Sequence, residues 1–327
     1  MKNFQYVRAS TPESAITAVT KDGTAQFLAG GTNLVDLMKK GVAAPDKLID
    51  ITGLDIKKIE ERQGTLHIGA MALNSVVAAD ALVKKQQPLL ALALLKGASQ
   101  QIRNMATVGG NMLQRTRCPY FYNTDLPCNK REPGTGCGAL KGFNRMHAIF
   151  GASESCIAVH PSDMCIALVA LDATVVVKGL KGERRIPFAD FHRLPGDQPQ
   201  LDHTLARGEM IMGLEIPANQ FGSHVHYLKV RDRASYAFAL ISVAAAIRID
   251  GNTIADVRLA MGGVAHKPWR LTAAEQFLKG KAATEGNFRE AAKLAMSNAT
   301  GYGHNNFKLK LAPNSIVEAL TKAAAAS

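Results

Sequence analysis

Short apolar runs alternate with turn-rich breaks along this chain, and the spacing of the apolar positions assigns most of them. Phe4 to Arg8 reads as a short strand. Thr11, Pro12 and Glu13 read as an N-cap, a proline at the first helical position and a first-turn acid, opening a helix to about Lys21. Ala25 to Ala29 is a strand, closed by Gly30-Gly31-Thr32-Asn33, and Leu34 to Lys40 is helical. Lys47 to Ile51 is a strand, and Leu66 to Ala70 is another after the turn at Gln63-Gly64. The Leu/Ala-rich stretch Gln87 to Gly97 is helical. His160-Pro161-Ser162-Asp163 leads into the apolar stretch Met164 to Leu171. Thr174 to Lys178 and Arg184 to Pro187 form a hairpin around Gly179 to Gly182, and Met210 to Ile216 is a strand ended by Pro217.

Composition shifts near Asn219 to Ser223, which reads as a linker. Beyond it, Val225 to Val230, Ser242 to Ile249 and Val257 to Met261 are spaced as an antiparallel meander. Helices follow at Thr272 to Lys279, Phe288 to Asn298 and Ser315 to Ala325. Strands first and helices after predict a small α+β domain. The expected division is 1–218 and 219–327, with an insertion over about 112–160.

A chain of 327 residues has room for more than one core, and 47% hydrophobic with 20% charged residues predicts a folded globular protein. The net charge of +12 suits an acidic partner. The basic residues are scattered, with no block of five or six, which favours a solvated or subunit-facing basic surface over a nucleic-acid site. No run of about 18 apolar residues occurs, so no membrane span is expected. The start, MKNFQYVRASTPESA, has no apolar signal core and no twin arginine. The chain by itself reads as cytoplasmic; export to the periplasm with a signal-bearing partner would leave no mark in it.

Cysteine is used sparingly, yet Cys118, Cys128, Cys137 and Cys156 lie close together, with 9, 8 and 18 residues between neighbours. Prolines 119, 127 and 133 and glycines 134, 136 and 138 forbid a long helix or a central strand through the first three. The spacings leave three readings open: a 4Fe–4S cluster, a structural zinc (though C-x₂₋₄-C pairs are absent), and disulfides, which an odd total disfavours. From Asn111 to His160 the six cations Arg115, Arg117, Lys130, Arg131, Lys141 and Arg145 exceed the three anions Asp125, Glu132 and Glu154, which suits an anionic centre. Cys165, in MCIALVAL, reads as a core residue. His147 and His160 read as polar loop residues.

Two glycine pairs, AGGTN at Ala29 to Asn33 and TVGGN at Thr107 to Asn111, are candidate nests in which successive N–H groups meet anionic oxygens. Neither is G-x-G-x-x-G, so a Rossmann site is excluded. The order AGGTNL, KLIDI, QQIRNMATVGGN, HPSD, YLKVRDR and LAMGGVAHKPWR resembles the FAD-binding subunit of the molybdenum hydroxylases, the xanthine dehydrogenase and carbon monoxide dehydrogenase flavoprotein family, over essentially the whole chain. NLVDLMK, QRTRCPYFY, PCNKR and VRDRASYAFAL look most like the subunit of periplasmic aldehyde oxidoreductases that carries both FAD and an iron–sulfur cluster.

The resemblance implies an α+β chain with a vanillyl-alcohol-oxidase-type (PCMH) FAD-binding fold of two subdomains, followed by a C-terminal α+β domain. It implies a first phosphate loop at Gln26, Phe27, Leu28, Ala29, Gly30, Gly31, Thr32, Asn33 and Leu34. It implies further FAD contacts at Gly97, Ala106, Thr107, Val108, Gly109, Gly110, Asn111, Asp163, Ile211 and Lys229, and a 4Fe–4S cluster on the four spaced cysteines. Lys229 is suited to neutralise phosphate or a reduced flavin anion. Tyr236 is a candidate for packing near the flavin ring, and Tyr120, Phe121 and Tyr122 for shielding the cluster.

No nucleophile–base pair and no molybdenum-cofactor motif stands out, so the expected role is electron transfer beside a large molybdopterin-binding subunit and a small 2Fe–2S subunit. The alternatives are the FAD/4Fe–4S subunit of an aromatic acyl-CoA reductase and a non-catalytic, zinc-stapled assembly subunit.

Overall fold

The computed structural model describes residues 1–326. Strands β1 (Gln5–Arg8), β2 (Ala25–Leu28) and β3 (Lys47–Asp50) form a small parallel sheet in the order β1-β3-β2. The Pro12–Lys21 helix crosses between β1 and β2, and Thr11 caps it reciprocally with Ser14. Strands β4 (Ile59–Arg62), β5 (Thr65–Gly69), β6 (Thr174–Gly179), β7 (Gly182–Pro187) and β8 (Met210–Pro217) form an antiparallel sheet in the order β4-β5-β8-β6-β7. Strand β4 was not legible in the sequence: IEER carries one apolar residue, because it is an edge strand with little to bury.

Strands β9 (Val225–Val230), β10 (Ile241–Asp250), β11 (Thr253–Gly262) and β12 (Trp269–Arg270) form the expected antiparallel meander in the order β12-β11-β10-β9. Strand β10 is buried on both faces from Ile241 to Ile247. Ile241, Val243, Ala245 and Ile247 face one core with the Thr272–Leu278, Glu285–Ala295 and Lys308–Ala325 helices. Ala244 and Ala246 face the other core, which also holds the Pro88–Lys96 and Asp163–Ala170 helices. Small residues there let the second of these helices come close: a Cβ on Gly262 would lie 2.7 Å from Ile166 Cγ1.

The apolar stretch after Asp163 is a helix buried all round, which is why it shows no periodic face. The last helix starts at Lys308, not Ser315, and carries Pro313 inside it. The cysteine insertion holds one-turn helices at Pro119–Tyr122 and Gly138–Lys141 and an antiparallel bridge between Cys128 and Cys137. Ile149 and Phe150 anchor it in the C-terminal core, with Phe150 stacked on Trp269 at 5.2 Å. Among the described residues no helix is long and apolar enough to cross a membrane.

Candidate functional site

The AGGTN turn follows β2 and starts the Leu34–Lys39 helix. Gly31 has φ +72, which favours glycine. Gly30 meets the other glycine segment so closely that a Cβ would lie 1.8 Å from the Met105 carbonyl oxygen. A Cβ on Gly110 would reach Ala29 at 4.0 Å. The two glycine pairs therefore lie side by side. Among the described residues, the N–H groups of Gly30, Gly31, Thr32 and Asn33 meet no acceptor within the protein. Four successive free donors are a candidate anion nest, and the last two of these residues, Thr32 and Asn33, line the adjoining cleft.

The second nest expected from the sequence does not form. TVGGN is the start of a short helix, Val108–Met112, capped by Thr107. Its donors are spent internally: Val108 N donates to Ala72 O (2.9 Å), Gly109 N to Ala70 O (2.8 Å), Gly110 N to Thr107 Oγ1 (3.1 Å) and Asn111 N to Thr107 O (2.8 Å). Here the glycines serve close packing, since a Cβ on Gly109 would press on Ala70 at 3.1 Å.

A cleft of about 700 Å³ runs along this junction. Of the sequence candidates, Thr32, Asn33, Gly97, Ala106, Gly110, Asn111, Asp163 and Lys229 line it. Gln26, Phe27 and Leu28 belong to β2, Val108 and Gly109 are buried in packing, and Ile211 is buried in β8 opposite Val177, so these do not line it. Two buried amide atoms on the cleft have no partner within the protein, Asn33 Nδ2 and Asn74 Oδ1. Buried polar atoms rarely go unpaired, so the cleft suits a polar ligand. Asn74 escaped the sequence reading, having no motif around it. Tyr236 lines the cleft at φ +51, with the Arg233 guanidinium over its ring.

Lys229 and Asp163 form a buried pair. Lys229 Nζ donates to Asp163 Oδ2 at 2.7 Å and to the Lys96 carbonyl at 3.1 Å, and its side chain is 2% exposed. Its charge is thus already met by a carboxylate, which modifies the expected role as a free counter-ion. Tyr227 donates its hydroxyl to Asp163 Oδ1 at 2.8 Å. Burial and the neighbouring Asp163 carboxylate push the Tyr227 phenol well above its usual range. Tyr227 and Lys229 sit two apart on β9 and reach one carboxylate, a spacing visible in YLKVRDR.

The cysteine insertion docks on the helix after the AGGTN turn. Arg115 N donates to Asn33 Oδ1 at 3.1 Å, Arg117 pairs with Asp36 at 2.7 Å, and the Tyr122 hydroxyl reaches Asp36 at 3.1 Å. Cys118, Cys128, Cys137 and Cys156 all line one small cavity. All five cysteines are free thiols, so the disulfide reading has no support in the geometry. A tetrahedral zinc with Zn–S near 2.3 Å needs sulfurs about 3.8 Å apart. Among the described residues no three of the four sulfurs lie mutually within 4.8 Å.

Burial pushes the Cys118 thiol up to about 12 and the Cys156 thiol up to about 11, the latter against the nearby Lys130 charge. His147, expected as a polar loop residue, is buried with Nε2 3.1 Å from Cys118 Sγ. His160, expected likewise, is also buried. Phe121 is fully buried beside the cysteines. A further cavity of about 130 Å³ is lined by Cys118 and His147 and also by Ser162 and Asp163, so the cysteine site and the cleft share a wall.

Residues 2–219 match the FAD-binding domain of molybdopterin dehydrogenases, and residues 226–323 match the C-terminal domain of the CO dehydrogenase flavoprotein. The chain belongs to the FAD-binding, medium-subunit family of the molybdenum hydroxylases. It is 48% identical, over 99% of both chains, to the aldehyde oxidoreductase FAD-binding subunit PaoB of Escherichia coli. It is 27% identical to the carbon monoxide dehydrogenase medium chain of Hydrogenophaga pseudoflava, over 90% of this chain and 86% of that one. The solved structure of the carbon monoxide dehydrogenase of that organism, lacking the Mo-pyranopterin moiety, superposes with a TM-score of 0.78 at 26% identity, covering 99% of this chain and 98% of that one. As a medium subunit the chain is part of an oxidoreductase and has the FAD-binding fold expected from its sequence.

Proposed function

We propose that this chain is the electron-transfer subunit of a heteromeric molybdenum-containing aldehyde oxidoreductase. It holds FAD in the cleft and one 4Fe–4S cluster on Cys118, Cys128, Cys137 and Cys156. The observation that carries the reading is the shared wall: the cavity that touches Cys118 also touches Asp163 on the cleft. The aldehyde class is supported by the likeness to the E. coli aldehyde oxidoreductase subunit over the whole chain. A large molybdopterin-binding subunit would oxidise the aldehyde, and a small 2Fe–2S subunit would connect it to this chain.

When bound, FAD converts one-electron delivery into two-electron donation to an external acceptor, and an iron–sulfur cluster supplies a one-electron centre. The residues of this chain do the placing. The free N–H groups of Gly30 to Asn33 suit a diphosphate. Asn33 Nδ2 and Asn74 Oδ1 offer a donor and an acceptor within the cleft. The Tyr227–Asp163–Lys229 set holds the start of the Asp163–Ala170 helix against β9. The buried Phe121, packed beside Cys128, would shield that side of the site from water.

The test is co-purification with the neighbouring gene products, followed by flavin and metal analysis. FAD, iron and molybdenum in one complex support the reading; zinc without iron or flavin would point to the stapled assembly subunit. Cys128→Ser is expected to lose the broad visible absorption of the cluster and about four irons. Unchanged iron would remove Cys128 from the ligand set.

A further inference from the structure

Lys130 is a lysine where the interior of a protein seldom places one. Its side chain is 1% exposed, it lies two residues after Cys128, and it lines the cavity of the four cysteines. Its Nζ donates to the Pro199 carbonyl at 2.7 Å and to Asp202 Oδ1, and it meets His266 Nε2 at 2.7 Å. His266 Nδ1 lies 3.0 Å from the Arg193 carbonyl, which can only accept, so Nδ1–H donates to it and Nε2 is left as an acceptor. All three ammonium donors are therefore spent, and none is left for a sulfur. Asp202 is shared with Arg115, at 2.7 Å from its Nε. Two cations against one carboxylate leave one positive charge in excess beside the thiols. Three separate segments fix it: the cysteine loop, the 193–202 segment and His266 of the C-terminal part.

We propose that Lys130 sets the reduction potential of the iron–sulfur centre upward, acting through space as a charge held rigidly in the interior and not as a hydrogen-bond donor to sulfur. This rests on the cluster reading above. A four-thiolate cluster is an anion that gains a further negative charge on reduction, so a fixed cation favours the reduced form. Burial keeps the interaction from being screened by salt. Asp202 opposes Lys130 electrostatically while holding it in place.

The experiment is an EPR-monitored redox titration of the whole complex carrying Lys130→Met or Asp202→Asn. Iron content and visible absorption are recorded first. Lys130→Met is expected to lower the reduced-to-oxidised ratio of the cluster about tenfold at fixed ambient potential, a shift of about 59 mV downward for one electron. Asp202→Asn is expected to shift it in the opposite sense. A wild-type complex without iron would sink the cluster reading itself. Iron-loaded variants with the wild-type potential would overturn the role of Lys130 and leave the cluster standing. Should Lys130→Met lose its cluster, the Asp202→Asn shift decides. If neither variant assembles a cluster, the network is structural only and the proposal falls.

Discussion

At the scale of single residues, the pair Lys229 and Asp163 shows how a charge is kept in an interior. Each side chain is almost fully buried, and each has a second partner: the Lys96 carbonyl for the lysine, the Tyr227 hydroxyl for the carboxylate. Removing one member leaves the other as an uncompensated buried charge. Lys229→Met is expected to destabilise the chain by about 3–5 kcal/mol. Adding Asp163→Asn should return part of that loss. Denaturant midpoints of the single and double variants measure both, and a single variant as stable as wild type would refute the pairing. The sequence marked both residues through the HPSD and YLKVRDR resemblance, but nothing local said that they touch, being 66 residues apart.

At the scale of elements, the approach of the AGGTN turn to the Met105 segment decides whether a cleft exists. Gly30→Ala would drive a methyl carbon into the Met105 carbonyl, a backbone atom that cannot rotate aside. Overpacking of this kind costs about 1–3 kcal/mol. The expected outcome is a purified variant with a markedly lower flavin-to-protein ratio. Gly23→Ala, which meets nothing within 4 Å, is the control and should keep its flavin. Equal flavin content in both would show that the turn does not form the nucleotide site. The sequence offered two equivalent glycine pairs; only the folded chain shows that one keeps its N–H groups free while the other spends them on Thr107, Ala70 and Ala72.

At the scale of the whole molecule, the cysteine insertion, the 188–203 segment and the C-terminal part meet around buried histidines. Burial lowers His147, His192 and His266 to about 4, and His160 well below its usual value. An unfolded histidine titrates near 6.5, so between that value and about 4 the unfolded chain binds more protons. The stability these rings contribute is present in full above about pH 6.5 and is lost as pH falls through 4. Denaturant midpoints measured across that window should fall steeply with acid; a flat profile would contradict the burial.

The order of motifs carried the resemblance to the family and, through it, the fold class, and the pattern of apolar positions and breaks assigned most elements, because these depend on neighbours along the chain. What lies in contact across long separations was decided only by folding. Lys130 read as one of six cations between Asn111 and His160 with nothing to set it apart, yet the fold buries it between Asp202 and His266. His147 read as a loop residue, yet it lies on a cysteine sulfur. A side chain's type is written locally, but its dielectric surroundings and its hydrogen-bond partners come from segments that only packing brings together.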